Sequence, residues 1–332
     1  MSEVLLEVKD LKINFHTYEG TAQVINGVNL KVNKGEVISI VGESGCGKSV
    51  TVRSILGLLP SPPAEYVEGE IRFNGQSLLN LKEREWQEVR GRNISMIFQD
   101  PMTSLNPVFT IGQQLIDVYM YQGRSQSVFM NRKKKKQLRQ EGRKRAIDIL
   151  EKMRIPDAEG ILERYPVELS GGMRQRILIA LALMHTPQLL IADEPGTALD
   201  VSVQDQILIE LKRLVEMEGI SMIFITHNLG VARMVSDRIY VMYAGEVIEE
   251  ARTEQLFSES YHPYTKGLFQ SIPKLSGSMG EGIDGRIPNL IDPPVGCRFY
   301  ERCPKRMDEC KHTPPHLYRL EEGRQVSCHL YK

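Results

Sequence analysis

The chain has 332 residues, 41% of them hydrophobic and 25% charged, and its 42 basic and 42 acidic side chains cancel. That balance suits a globular protein of about two domains and leaves no global field directed at nucleic acid or at an acidic partner. The longest apolar run, ILIALALM from Ile177, stops at eight residues, short of the ~18 that a membrane span needs, and the amino terminus MSEVLLEVKD reads as a strand and not as a secretory signal. A cytoplasmic protein is expected.

The first chemical signal is VISIV, residues 37–41, a β-branched run of the kind found in buried parallel strands. Val50, Val52, Ile55, Leu56 and Leu59 follow at helical spacing, so the order is strand, loop, helix. Between them Gly42, Gly47, Lys48 and Ser49 fill the pattern GxxxxGK[ST]. Glycines let the backbone turn its N–H groups inward around nucleotide phosphates, and the new helix points its positive end at them. The expected cradle is Gly42, Glu43, Ser44, Gly45, Cys46, Gly47, Lys48, Ser49 and Val50, with Lys48 reaching the terminal phosphates and Ser49 offering its hydroxyl to magnesium. Cys46 is read as a small residue that fits. A plain glycine-rich turn is the bland alternative, and the strand and helix on either side argue against it.

Further along, ISMIF ends at Phe98 and leads into QDPMTSLNP, which contains Gln99. Residues 99–185 lack strand alternation and carry helical patterns such as RKRAIDILEKM. Within them, Asn131 to Arg145 packs nine basic residues around one acid; a solvated helix face is the first reading, anionic lipid the second, nucleic acid the third. LSGGMRQR, residues 169–176, precedes a second apolar strand, LLIADEP. That strand sets Asp193 and Glu194 at its carboxyl end, where open α/β sheets hold their ligands. Asp193 is placed to hold magnesium, and Glu194 is free to orient the attacking water as general base. SMIFITH closes on His227.

After residue 250 the composition changes: HPYTKGLFQSIP, then the glycine-rich SGSMGEGIDG, then a tail rich in proline and cysteine. Cys297, Cys303, Cys310 and Cys328 are separated by five, six and seventeen residues. A reducing cytosol argues against disulfides, so a metal is the better reading. The CxxC knuckles favoured by zinc are missing, four thiolates also suit an iron–sulfur cube, and Cys303 is followed by Pro304, as the last ligand is in bacterial ferredoxins.

Together these motifs resemble the ATP-binding subunits of ABC transporters. LSGGMRQR is similar to that family's LSGGQ signature, with Met173 in place of the glutamine. The resemblance implies a P-loop NTPase fold of the α/β class: a RecA-like parallel sheet with helices on both faces in residues 1–98 and 186–250, a helical signature subdomain in 99–185, and a small Cys-rich C-terminal extension in 251–332. It implies that Ser170, Gly171 and Gly172 form a second phosphate cradle facing the ATP of another ATP-binding subunit, identical or related. Such a role is physically apt, because small residues at a helix start bind anions. Gln99 then fits the Q-loop, which touches magnesium and the attacking water; Ala198, Leu199 and Asp200 fit the D-loop; His227 fits the histidine that contacts the γ-phosphate. Phe15, or alternatively Tyr18, is expected to stack on adenine. Gly196 stands where this branch usually has threonine, which gives the backbone between catalytic acid and subunit seam extra freedom.

HPYT, QDPMTSLNP and the tail resemble the oligopeptide and dipeptide importers in particular. That implies ATP and Mg2+ as ligands, two integral membrane permease subunits as partners, an extracytoplasmic solute-binding protein acting through them, no nucleic acid, and a peripheral place on the cytoplasmic face of the membrane. It also implies a [4Fe-4S] cluster on the four cysteines, with zinc as the alternative. An importer of nickel or another solute, and a soluble ABC-type ATPase acting on ribosomes or DNA, are the rival functions.

Overall fold

The computed structural model describes residues 3–99, 104–124, 131–196, 200–271, 282–320 and 323–332. The chain forms two compact units, one of Met1–Asn80 with Ile223–Lys332 and one of Leu81–Met222.

The first unit opens with two long strands, β1 (Val4–Thr17) and β2 (Gly20–Asn33), which pair antiparallel around a two-residue tip at Tyr18 and Glu19. A two-residue connection can only join antiparallel neighbours. After β3 (Val37–Val41), β4 (Ala64–Phe73) adds to the other side of β1, and β5 (Gln76–Ser77) to β4, giving a separate antiparallel sheet of order β2-β1-β4-β5. The expectation of a parallel sheet is corrected here: the parallel signal belongs to β3, whose five residues are all buried, whereas β1 buries Leu5, Leu6, Val8, Leu11 and Ile13 between exposed or half-buried polar residues.

In the second unit β6 (Ile94–Ile97) and β7 (Leu189–Asp193) run parallel, with Ile94 opposite Leu189 and Ile97 opposite Ala192. Helices Ile111–Arg124, Arg132–Lys152, Gly171–Leu183 and Val201–Met217 accompany them. Helix Gly171–Leu183 buries Ile177, Leu178, Ile179, Ala180, Ala182 and Leu183, too many faces for an amphipathic surface helix, so it is an interior element. Helix Arg132–Lys152 is its opposite. Asn131 caps it by accepting from the Lys133 N–H at 2.6 Å, its basic first half is exposed, and burial starts at Gly142.

Back in the first unit, β8 (Ser221–Thr226), from Ile223 onward, flanks β3 on one side; β9 (Arg238–Tyr243) runs parallel to β3 on the other. β10 (Glu246–Arg252) pairs antiparallel with β9. The tail then contributes β11 (Leu317–Arg319) and β12 (Gln325–Ser327), the latter antiparallel to β10. The sheet is thus mixed, and the C-terminal region is part of it. Tyr243, Tyr264 and Phe299 centre a shared core with ring centroids 4.7 to 5.5 Å apart, within the range of favourable aromatic pairs. Among the described residues no helix is long and apolar enough to cross a membrane.

Candidate active site

In the first unit β3 ends at Val41, and helix Lys48–Ile55 starts directly after Gly47, its N-cap. The loop between them requires glycine for two different reasons. Gly42 has φ +155°, and a Cβ there would overlap the Met242 carbonyl oxygen; Gly45 has φ +82°, and a Cβ there would meet nothing within 4 Å. One position lets the loop press onto β9 and the other sits on its open side. Lys48 is 6% exposed, and its ammonium donates to the carbonyl oxygens of Gly42 at 2.8 Å and Glu43 at 2.9 Å. A cation folded over its own loop, with successive N–H groups in a left-handed turn at a helix start, fits an anionic polyphosphate. Ser44 and Gly45 are exposed, while Ser49 and Val50 are half-buried. Cys46 is fully buried, its carbonyl accepts from the Gly245 N–H at 2.9 Å, and burial pushes its thiol pKa up.

Phe15, half-buried on β1, lies opposite Ala22 and Ala64; Tyr18 at the hairpin tip is fully exposed. His227 is exposed directly after β8, and Asn228 next to it caps helix Leu229–Val235 by accepting from Gly230 and Val231.

The second unit carries the carboxylates. Asp193 ends β7 and is 1% exposed. Glu194 follows with φ +48°, a left-handed conformation that a side-chain-bearing residue adopts at a cost and that collects at active sites. The exposed Gln99, just after β6, donates its Nε2 to the Glu194 carboxylate at 3.1 Å, so two residues 95 positions apart in sequence meet here. Gly196 donates its N–H to the Glu194 carbonyl at 2.8 Å, and a Cβ on Gly196 would lie 2.6 Å from Gln204 Cγ. Threonine at this position would have to displace Gln204. Ala198 and Leu199, like Asp100 to Thr103 after Gln99, lie outside the described residues; Asp200 is the N-cap of helix Val201–Met217. Ser170 caps helix Gly171–Leu183 by accepting from the Met173 N–H at 3.3 Å. Gly171 is exposed; a Cβ on Gly172 would lie 2.9 Å from Val203 Cγ1.

The four tail cysteines are free thiols. The Cys297 N–H donates to the Cys310 carbonyl at 2.8 Å. Burial pushes the Cys297 thiol up to about 12, with the charges of Glu246, Cys310 and Cys303 adding to it. Burial likewise raises Cys303 and Cys328, with charge on Cys310 adding to both. Four thiols of this kind are a soft donor set. Even so, among the described residues no group of three or more His, Cys, Asp or Glu side chains is arranged to hold a metal ion.

Two contacts were not foreseen from the sequence. The Arg302 guanidinium grips the Glu43 carboxylate of the phosphate loop, and the Tyr264 hydroxyl accepts from the Glu43 N–H. Arg302 stands next to Cys303 and Tyr264 inside HPYT, so both were read with the tail and neither with the nucleotide.

A strand, glycine loop and helix carrying Lys48, together with a buried strand that delivers Asp193 and a Gln99-bonded Glu194, define a phosphate-loop ATPase. More narrowly, the chain belongs to the ABC transporter family of ATP-binding subunits. Residues 25–197 match the ABC transporter family, and residues 248–310 match the oligopeptide/dipeptide transporter C-terminal region. It is 44% identical to the oligopeptide transport ATP-binding protein AppD of Bacillus subtilis over 99% of this chain and 97% of that one. It is 42% identical to the oligopeptide transport ATP-binding protein OppD of Salmonella typhimurium over 98% of this chain and 94% of that one. Among solved structures it is similar to the dimeric post-hydrolysis state of the ATP-binding cassette MJ0796 bound to ADP and Pi, with a TM-score of 0.63 and 29% identity over 75% of this chain and 98% of that one.

Proposed function

We propose that the chain is the ATP-hydrolysing motor of an importer for di- or oligopeptides. It pairs with an identical or related ATP-binding subunit on the cytoplasmic face of the membrane and drives two integral permease subunits fed by an extracytoplasmic solute-binding protein. The observation that carries this reading is the match of residues 248–310 to the oligopeptide/dipeptide transporter C-terminal region, in the same chain as the cassette. Nickel or another solute of the same branch is the rival cargo.

In this reading the N–H groups of residues 42–50 and the Lys48 ammonium bind the ATP phosphates, and Phe15, with Tyr18 the alternative, stacks on adenine. Ser49, Asp193 and Gln99 would hold Mg2+, which would neutralise charge developing on the phosphates. Glu194 orients the attacking water and takes up its proton, Gln99 fixes the Glu194 carboxylate, and His227 contacts the γ-phosphate. Ser170, Gly171 and Gly172 of the second subunit close over the nucleotide from a helix start. The test is ATPase turnover of the complex reconstituted with its permease and binding proteins. Peptide should stimulate it; stimulation by nickel alone would replace the cargo, and stimulation only by ribosomes or DNA would overturn transport.

Cys297, Cys303, Cys310 and Cys328 would hold a [4Fe-4S] cluster, with zinc the alternative. Support comes from four free thiols within the last 36 residues and from Pro304 after Cys303. A bound cluster would staple a tail whose two strands are only three residues long. Iron and acid-labile sulfide analysis of anaerobically purified protein decides it, and stoichiometric zinc without iron would overturn the cluster.

A further inference from the structure

A carboxylate is an odd choice for the second residue of a loop that must accept a polyphosphate, because at such short range like charges repel strongly. Glu43 sits there, and the structure answers the conflict from 259 residues away. Arg302 Nη1 donates to Glu43 Oε2 at 2.9 Å and Nη2 to Oε1 at 3.0 Å, a bidentate pair. The remaining three N–H groups go to the Asp284 carbonyl at 2.8 Å, the Ile283 carbonyl at 3.1 Å and the Tyr243 hydroxyl at 3.5 Å. All five guanidinium donors are thereby used. The Arg302 side chain is 5% exposed and that of Glu43 29%, so the pair is weakly screened by water. Tyr264, fully buried, holds the other end of the same residue by accepting from the Glu43 N–H at 2.9 Å.

We propose that Arg302 is a positioning residue for nucleotide binding: it cancels the Glu43 charge and turns the carboxylate away, so that the loop presents its N–H groups to the phosphates unopposed. With every donor spent on protein acceptors, Arg302 acts through Glu43 and does not itself reach the nucleotide. A mechanical brace would also hold the loop, but it predicts a different response when both charges are removed.

The inference rests on the loop of residues 42–49 being the phosphate site, and Lys48→Ala tests that separately. The measurement is titration of the full-length chain with a fluorescent ATP analogue and Mg2+, alongside thermal melting. Arg302→Met should weaken binding by about tenfold or more, within the range of coupling between contacting charges, and raise the KM for ATP more than it lowers kcat. Adding Glu43→Gln to Arg302→Met should regain most of that loss, because no unpaired carboxylate remains. A double variant as weak as Arg302→Met would overturn the proposal in favour of a brace. Where Arg302→Met does not fold, Glu43→Gln alone decides: it leaves the arginine charge uncompensated beside the loop and should bind more tightly than the native chain, whereas no gain, or a loss, overturns the proposal. Native-like binding by Lys48→Ala would instead sink the phosphate-site assignment beneath it.

Discussion

The phosphate loop and the Glu194 turn handle backbone strain differently. The loop places glycine at its left-handed positions Gly42, Gly45 and Gly47, and it is packed against β9, the Gly245 turn and the C-terminal aromatic core. The Glu194 turn puts a side-chain-bearing residue at φ +48°, and its carboxylate accepts from the exposed Gln99. The proposed binding groups thus sit in a relaxed, partly buried frame, while the proposed base sits on strained backbone. The difference fits their tasks. A phosphate cradle gains from being preorganised, whereas a base must let water approach and a proton leave.

The sharpest way to break that contrast is Glu194→Gln. Loss of the base should lower turnover by about 10²–10⁴-fold with ATP still bound, measured as phosphate release against nucleotide titration; undiminished turnover would reassign the base. Gly42→Ala strikes the other region. The added Cβ collides with the Met242 carbonyl at a backbone angle that alanine disfavours, and should cost about 1–3 kcal/mol of stability in denaturant unfolding.

A third prediction probes the frame under the loop. Complete burial pushes His262 down to about 3 from its ordinary 6.5, and its Nδ1 accepts from the Tyr264 N–H at 3.0 Å. The unfolded chain takes up that proton below about 6.5, the folded one only near 3. This contribution to stability is complete above pH 6.5 and is lost as pH falls, by up to about 1.4 kcal/mol per pH unit. His262→Asn, which keeps an acceptor for the Tyr264 N–H, should flatten the fall in melting temperature between pH 6.5 and 4 relative to the native chain. The smallest effect is expected at Ser170→Ala. Loss of the N-cap should cost about 1 kcal/mol in the second unit's unfolding, beyond any effect on hydrolysis by the paired subunit.

Local patterns were legible wherever one short segment carried its own physical requirement. Three glycines and a lysine between a β-branched strand and a helix state a phosphate loop; four apolar residues before Asp193 and Glu194 state a buried strand with carboxylates at its end. The basic run at Asn131–Arg145 reads as helical and lies on helix Arg132–Lys152, with residues 131–137 exposed. The β1–β2 hairpin was missed as a hairpin because Tyr18 and Glu19 are not the usual turn residues, and its partner β4 lies some fifty residues further on.

The sequence by itself carries the proposed chemistry: which side chains are proposed to hold phosphate, to take a proton and to share a metal, since such proposals rest on residue types in short order. Only the tertiary structure decided what surrounds them. It placed Arg302 and Tyr264 on Glu43, Gln99 on Glu194, and β12 on β10. Each of these pairings joins segments far apart in the chain, and no local propensity specifies a contact whose free energy appears only once both segments are folded and out of water.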